Sequence, residues 1–271
     1  MVPGCGAMTT KHPYLAFNEN SELRTAAAAF LSEGLALGQQ VRFLGWGTND
    51  EVRGQASGLA GLDELLRNDA AQVTSLDEHF RRDAAPEPVE LLAFWSAATD
   101  AALVGGFTGL RVVTDTTPWS QPDEQRELFL RGEQLVERFR VDRPFSQLCA
   151  GEATQLAAEA LAELACIHPS SEGVSVPFHL HATVGADFTL DGEIDALTAS
   201  LLERVVSTLE PGEGSHELIL DVRELAFVDH RTLVILQRHA ERSSVSVVLR
   251  NPSRFAARLV EMLSLDRKSV V

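Results

Sequence analysis

The chain has 271 residues, 45% hydrophobic and 23% charged, a globular composition that excludes a wholly disordered protein. Lys and Arg number 23 against 39 Asp and Glu, and a formal net charge of −16 repels phosphate backbones and anionic lipid. Its three cysteines, Cys5, Cys149 and Cys166, form no CxxC pair, so a disulfide framework is excluded and a reducing compartment fits.

No apolar run reaches the roughly 20 residues of a membrane span, and the first residues show no charged-then-apolar export pattern. The expectation is a cytoplasmic protein without nucleic-acid or membrane partners. Residues 1–11 read as a disordered N-terminus. A short strand is expected over 12–17. A helix follows over 19–37, with apolar side chains at Leu23, Ala27, Phe30, Leu31 and Leu35 at helical spacing and Gly38 as its C-cap. Strands are expected over 40–46 and 73–76, an amphipathic helix over 89–104 and a strand over 109–114. A helix over 124–139, a strand over 145–150 and a helix over 153–166 complete the first domain, residues 12–169. Strands separated by helices predict a mostly parallel α/β sheet, with ligands beyond the carboxyl ends of its strands at Trp46, Asp115 and Cys149.

Pro169, Ser170, Ser171 and Gly173 mark a break, and residues 170–176 read as a linker. Most of the acidic excess lies before it. The smaller second domain, 177–266, opens with strands over 178–184 and 188–190. A helix over 196–209, a strand over 217–222 and a helix from Asp229 to about Arg242 follow. A strand over 245–249, a helix over 255–263 and a tail over 267–271 end the chain.

Few residues announce chemistry. No GxxxxGK[ST] loop is present, and Gly45-Trp46-Gly47-Thr48 follows a strand without the phosphate-binding lysine. Asp115 and Trp119 follow the clearest strand, where a carboxylate and an indole could orient a small ligand; an Asp/Thr turn with Trp119 packed on the core is the plainer reading. Cys149 ends an apolar strand with no base identifiable nearby, as buried free cysteines commonly do. His12 and His168 bracket the domain and could join Cys149 in a metal or ligand site, although sequence alone does not bring them together. Glu133 sits in a charged helix and reads as solvated. His179 and His181 share one strand face at chelate spacing, but without a third ligand they read as a surface pair. Asp229 precedes a helix and reads as its cap, at a terminus that also suits a phosphoryl group.

The second domain resembles the STAS domain of anti-sigma factor antagonists. Leu190-Asp-Gly-Glu-Ile-Asp195, Leu218-Ile-Leu-Asp-Val222 and Leu225-Ala-Phe-Val-Asp229 carry the resemblance, in the family's order and spacing. The family's two serines after the Asp are replaced here by His230 and Arg231, and its glycine by Thr232. Phosphorylation at the usual site is therefore impossible, and only Thr232 remains as a phosphate acceptor in that stretch. The first domain resembles the MEDS sensory domain. The match rests on the opening His12 to Phe17, on Phe30-Leu-Ser-Glu-Gly-Leu35, on Gly106-Phe-Thr-Gly-Leu-Arg-Val-Val-Thr-Asp115, on Leu148-Cys-Ala150 and on His168-Pro169. Tyr14 replaces an early cysteine of the family, and Gly151-Glu152 replaces its Tyr-Asp. The resemblance implies a RecA-like α/β fold without a working phosphate loop.

Together the two resemblances imply a signalling or transcription-regulatory protein. Its sensory domain would respond to a small molecule, with His12, Asp115, Trp119, Glu133, Cys149 and His168 as candidate ligand-binding residues. Its STAS domain would dock an anti-sigma factor or related signalling protein through Asp229, His230, Arg231 and Thr232. No catalytic residue, cofactor or metal is assigned. An enzyme using Cys149, Asp115 and His168 is the alternative, and it requires those side chains to converge in one pocket. A non-switching scaffold subunit is a third reading.

Overall fold

The computed structural model describes residues 12–121, 123–212 and 214–263. The expectations for 1–11 and 267–271 lie outside them. The first domain is built on strands β1 (Pro13–Phe17), β2 (Gln40–Gly45), β3 (Ala71–Ser75), β4 (Leu110–Asp115), β5 (Phe145–Glu152) and β6 (Ser170–Glu172). They run in the order β3-β2-β4-β5-β1-β6, every neighbouring pair parallel. Helices α1 (Asn20–Ala36), α2 (Asn49–Gln55), α3 (Leu62–Arg67), α4 (Pro88–Val104), α5 (Thr117–Ser120), α6 (Asp123–Asp142) and α7 (Ala158–Cys166) connect them. The parallel α/β expectation is met.

Such a sheet is covered on both faces, which is why its strands read as unbroken apolar runs. Alternation along each strand sorts the side chains into two cores. Leu15, Phe17, Val41, Phe43 and Leu148 pack with α1 through Leu23, Phe30 and Leu31. Tyr14, Ala16, Phe145 and Cys149 face the other way, toward Trp95 of α4 and Phe129 of α6. Gly38 lies just past α1 with φ +73°, as a C-cap glycine requires.

The stretch read as a linker begins instead with β6. Pro13 pairs with Ser170 and Tyr14 with Ser171, so the segment closes the edge of the first sheet. Its Ser-Ser-Glu sequence carries no strand signal because an edge strand is fixed by its backbone bonds. The short α2, α3 and α5 also lie outside the expected elements.

The second domain contains the hairpin β7 (Phe178–Thr183) and β8 (Ala186–Ile194), then β9 (Glu217–Asp221), β10 (Leu225–Val228) and β11 (Ser246–Arg250). The order is β10-β8-β9-β11, with β7 antiparallel to β8. Helices α8 (Ala199–Ser207), α9 (His230–Ser243) and α10 (Arg254–Met262) complete it.

The two domains share one continuous apolar core, in which Val136 and Leu164 join Phe178, Leu180 and Phe188. Polar contacts tie α6 and α7 to the second domain. Gln134 Nε2 donates to Thr208 Oγ1 at 2.7 Å, Arg138 lies 4.7 Å over the Phe188 ring, and buried Glu163 joins Arg126 to Arg204.

His239 on α9 is buried, and its Nε2 has no hydrogen-bond partner among the described residues. Burial, aided by the charge of Arg242, holds the imidazole at about 4. An unfolded chain protonates this histidine near pH 6.5, so between pH 6.5 and 4 only the unfolded state takes up the proton. Stability falls as pH drops through that window, by on the order of 2 kcal/mol from this group. In urea unfolding at pH 7 and pH 5, His239→Leu should lose less stability than the parent; an equal loss would contradict this account.

Candidate functional site

The site forms where β1, β5, α6 and the end of α7 meet. Tyr14 pairs with Cys149 in the β1–β5 register, which sets His12 beside Gln147 and Cys149 on one face. Glu133 and Glu137 lie one turn apart on α6, both aimed at that face. His168 follows α7, and its ring packs edge-on against His12 with centroids 4.3 Å apart.

His12, Glu133, Cys149 and His168 are each 0% exposed. His12 Nε2 lies 3.2 Å from Cys149 Sγ and 3.3 Å from Glu133 Oε2. Cys149 Sγ donates to Glu133 Oε2 at 3.0 Å, and Gln147 Nε2 donates to Sγ at 3.0 Å. His168 Nε2 stands 3.6 Å from Glu133 Oε2. The outer nitrogen of each imidazole is anchored. His12 Nδ1 bonds Glu137 Oε1 at 2.5 Å, and His168 Nδ1 bonds the Leu164 carbonyl at 2.6 Å. Glu137 is held in turn by Arg140 through both carboxylate oxygens at 2.8 and 2.5 Å. It also accepts from the backbone N–H of Ala182, on β7 of the second domain, at 3.3 Å.

The electrostatics follow from burial and these contacts. Burial would raise the Glu133 carboxyl, but its contacts with His12 and His168 outweigh it and hold it at about 2. Burial acts likewise on Glu137, and the His12 charge and the Arg140 guanidinium bring it to about 2. Burial disfavours the His12 imidazolium, yet the two carboxylates raise its pKa. Burial and the Glu133 charge push the Cys149 thiol well up. Burial and the His12 charge push His168 down.

Of the six ligand-site candidates, the structure brings four together. Glu133 is not solvated: β7 and the sheet cover the α6 face that sequence assigned to water. Cys149 does not end its strand, because β5 continues to Glu152. Asp115 does end β4, but its Oδ1 accepts from the Thr117 amide and hydroxyl at 3.0 and 2.6 Å. Trp119 is buried against Trp46, Phe80 and Phe129, with its indole N–H on the Arg81 carbonyl at 2.9 Å. Both follow the plainer turn-and-core reading. His179 and His181 are half-buried and turn to separate partners, the Ala165 carbonyl at 3.2 Å and Asp191 at 3.6 Å. Glu137, Arg140 and Gln147 were missed. Spacing could have found them, since Glu137 is four residues from Glu133 and Gln147 two from Cys149.

At the start of α9, Asp229 caps the helix by accepting from the amides of Arg231 and Thr232 at 2.9 and 3.3 Å. His230 and Arg231 are exposed. Thr232 is 1% exposed, and its hydroxyl has no partner among the described residues. It therefore does not belong to a docking face, and its hydroxyl is closed to a phosphate donor, because the third residue of α9 turns its side chain into the core here. Phe227 and Phe255 stack beside this terminus, 44% and 55% exposed.

The model of the MEDS family, the methanogen/methylotroph DcmR sensory domain, matches residues 11–169. The chain belongs to the MEDS family. A STAS domain model matches residues 179–270, so the MEDS module is followed by STAS as the sequence suggested. A search of curated proteins finds no matching relative. The buried centre lies wholly within the MEDS match, and Ala182 of the STAS match bonds its Glu137. A MEDS sensory module joined to STAS places the protein among signalling and regulatory proteins. Among the described residues, no helix is long and apolar enough to cross a membrane.

Proposed function

We propose that this is a cytoplasmic, non-enzymatic regulator whose buried MEDS centre receives the signal and whose STAS domain docks an anti-sigma factor or related signalling protein. The observation that carries this reading is the Glu137 carboxylate. One oxygen bonds His12 inside the centre, and the other accepts from Ala182 of the STAS sheet. A change at His12 therefore acts on β7 through the single Glu137 carboxylate. A signal shifts the docking face only if it binds two states of the chain with different affinity.

The docking face is the exposed start of α9, with His230 and Arg231 flanked by the Phe227–Phe255 pair. Arg231 has no ion pair among the described residues, and Arg254 and Arg258 are also exposed nearby in sequence on α10. Aromatics beside cationic groups suit a partner with an apolar socket and an acidic rim. The absence of a catalytic step in this reading is supported by Cys149, whose sulfur is buried away from any substrate.

The test is recovery of the tagged full chain and its Arg231→Glu variant from the native host, with quantitative mass spectrometry and binding measurements on the captured partner. Arg231→Glu should weaken docking at least about tenfold. Unchanged affinity would remove Arg231 from the interface, and capture of no signalling protein by either form would end the STAS-docking reading.

A further inference from the structure

Building on the reading of the buried centre as the input site, we propose that it binds one zinc-type divalent transition-metal ion through His12 Nε2, Glu133 Oε2, Cys149 Sγ and His168 Nε2. These four donor atoms all lie within 4.8 Å of one another. Edges of 3.2, 3.0, 3.3 and 3.6 Å compare with roughly 3.3–3.7 Å between donors of a tetrahedral zinc site, given its bond lengths. Four of the six donor edges thus lie close to that range, and the other two are bounded by 4.8 Å.

Orientation argues the same way. The Leu164 carbonyl can only accept, so His168 Nδ1 carries the proton, and the neutral ring presents a lone pair at Nε2. That nitrogen is fully buried, without a hydrogen-bond partner among the described residues, and it faces the carboxylate oxygen of Glu133. Two buried acceptors facing each other are costly unless a cation lies between them. Glu133 Oε1 and Gln147 Oε1 also lack partners among the described residues, so the pocket is richer in acceptors than its own protons can satisfy.

The outer contacts are those of a metal centre. A carboxylate on His12 Nδ1, a carbonyl on His168 Nδ1 and an amide on the sulfur fix ring tautomer and ligand direction. A thiolate with two imidazoles selects a zinc-type ion over magnesium or calcium. Four protein donors in a sealed site leave no open coordination position, which suits a sensory or structural ion rather than a catalytic one.

The experiment uses the full chain without a polyhistidine tag, stripped with a chelator and titrated with Co²⁺, then Zn²⁺. The expected result is saturation at one equivalent, with the visible bands of four-coordinate cobalt, a thiolate-to-cobalt charge-transfer band, and displacement by Zn²⁺. Cys149→Ser should lose the charge-transfer band, and His168→Gln should bind at least about tenfold more weakly. Both replacements are close in size, and far-ultraviolet circular dichroism checks their folding. A folded parent chain with no saturable cobalt spectrum and no rise in Tm with Zn²⁺ overturns the proposal. A cobalt spectrum unchanged in folded Cys149→Ser also overturns it. Amide hydrogen exchange over β7 and α9 separates this from the input-site reading. Metal binding with unchanged exchange leaves the metal site standing and ends the input reading. No metal binding, with exchange altered by Glu137→Gln, ends the metal site and leaves the input reading standing.

Discussion

Glu163→Ala should lower the stability of the full chain by about 3 kcal/mol, because it strands a buried cation. Glu163 is 3% exposed and Arg126 7%. Arg126 Nε donates to Glu163 Oε2 at 2.7 Å, and Arg204 of the second domain holds the other oxygen. Arg204 is half-exposed and can return to water. Arg126 cannot: its other contacts are the Ser120 and Gln121 carbonyls at 3.1 and 3.5 Å and the exposed Asp123. The cost is therefore the desolvation of one guanidinium rather than the worth of two ion pairs. Replacing both partners, as in Arg126→Met with Glu163→Leu, should cost less than Glu163→Ala alone. Urea unfolding of the three chains checks this. A single-variant loss below about 1 kcal/mol would show that Arg126 reaches water by another route.

Gly192→Ala should cost more than about 3 kcal/mol and disturb the second domain selectively. Gly192 has φ +89°, and a Cβ there would stand 2.3 Å from the Pro177 carbonyl oxygen and 2.8 Å from the Phe178 Cα. Both obstacles are backbone, so the hairpin itself must move. Gly192 also sits where β8 pairs with Phe178 on one side and Leu225 on the other. Gly185 is the control: its φ is +86°, but nothing lies within 4 Å of its added Cβ. Gly185→Ala should show only the conformational penalty of about 1–2 kcal/mol. Equal losses at the two positions would mean that crowding against Pro177 contributes nothing.

Much of the fold was legible for a physical reason. β2, β4, β5 and β9 are parallel strands with both faces or their central residues buried, so their sequences are apolar runs that periodicity finds. β6 and the short helices were not legible, since Ser-Ser-Glu and Leu62–Arg67 are held by neighbours rather than by their own pattern. The buried centre was half legible. Resemblance pointed to His12, Asp115, Glu133, Cys149 and His168, of which Asp115 lies outside the centre, while the residues alone suggested a solvated glutamate and an inert cysteine. The error at Glu133 arose because α6 turns this carboxylate inward onto His12, Cys149 and His168 of its own domain, and no single-helix pattern records that. Two departures from the family pattern proved complementary. A Cβ at residue 151 would lie 2.2 Å from the Tyr14 hydroxyl, so Gly151 makes the room that Tyr14 in place of cysteine requires.

The Glu137 carboxylate, shared between His12 and the Ala182 amide, constrains the direction in which information can flow. Whatever free energy couples occupancy of the centre to the STAS surface must act equally in reverse. A docked partner would then retune the centre's affinity for its own signal by the same factor. The threshold at which such a protein responds would then belong to the complex, and it would shift with how much partner the cell contains.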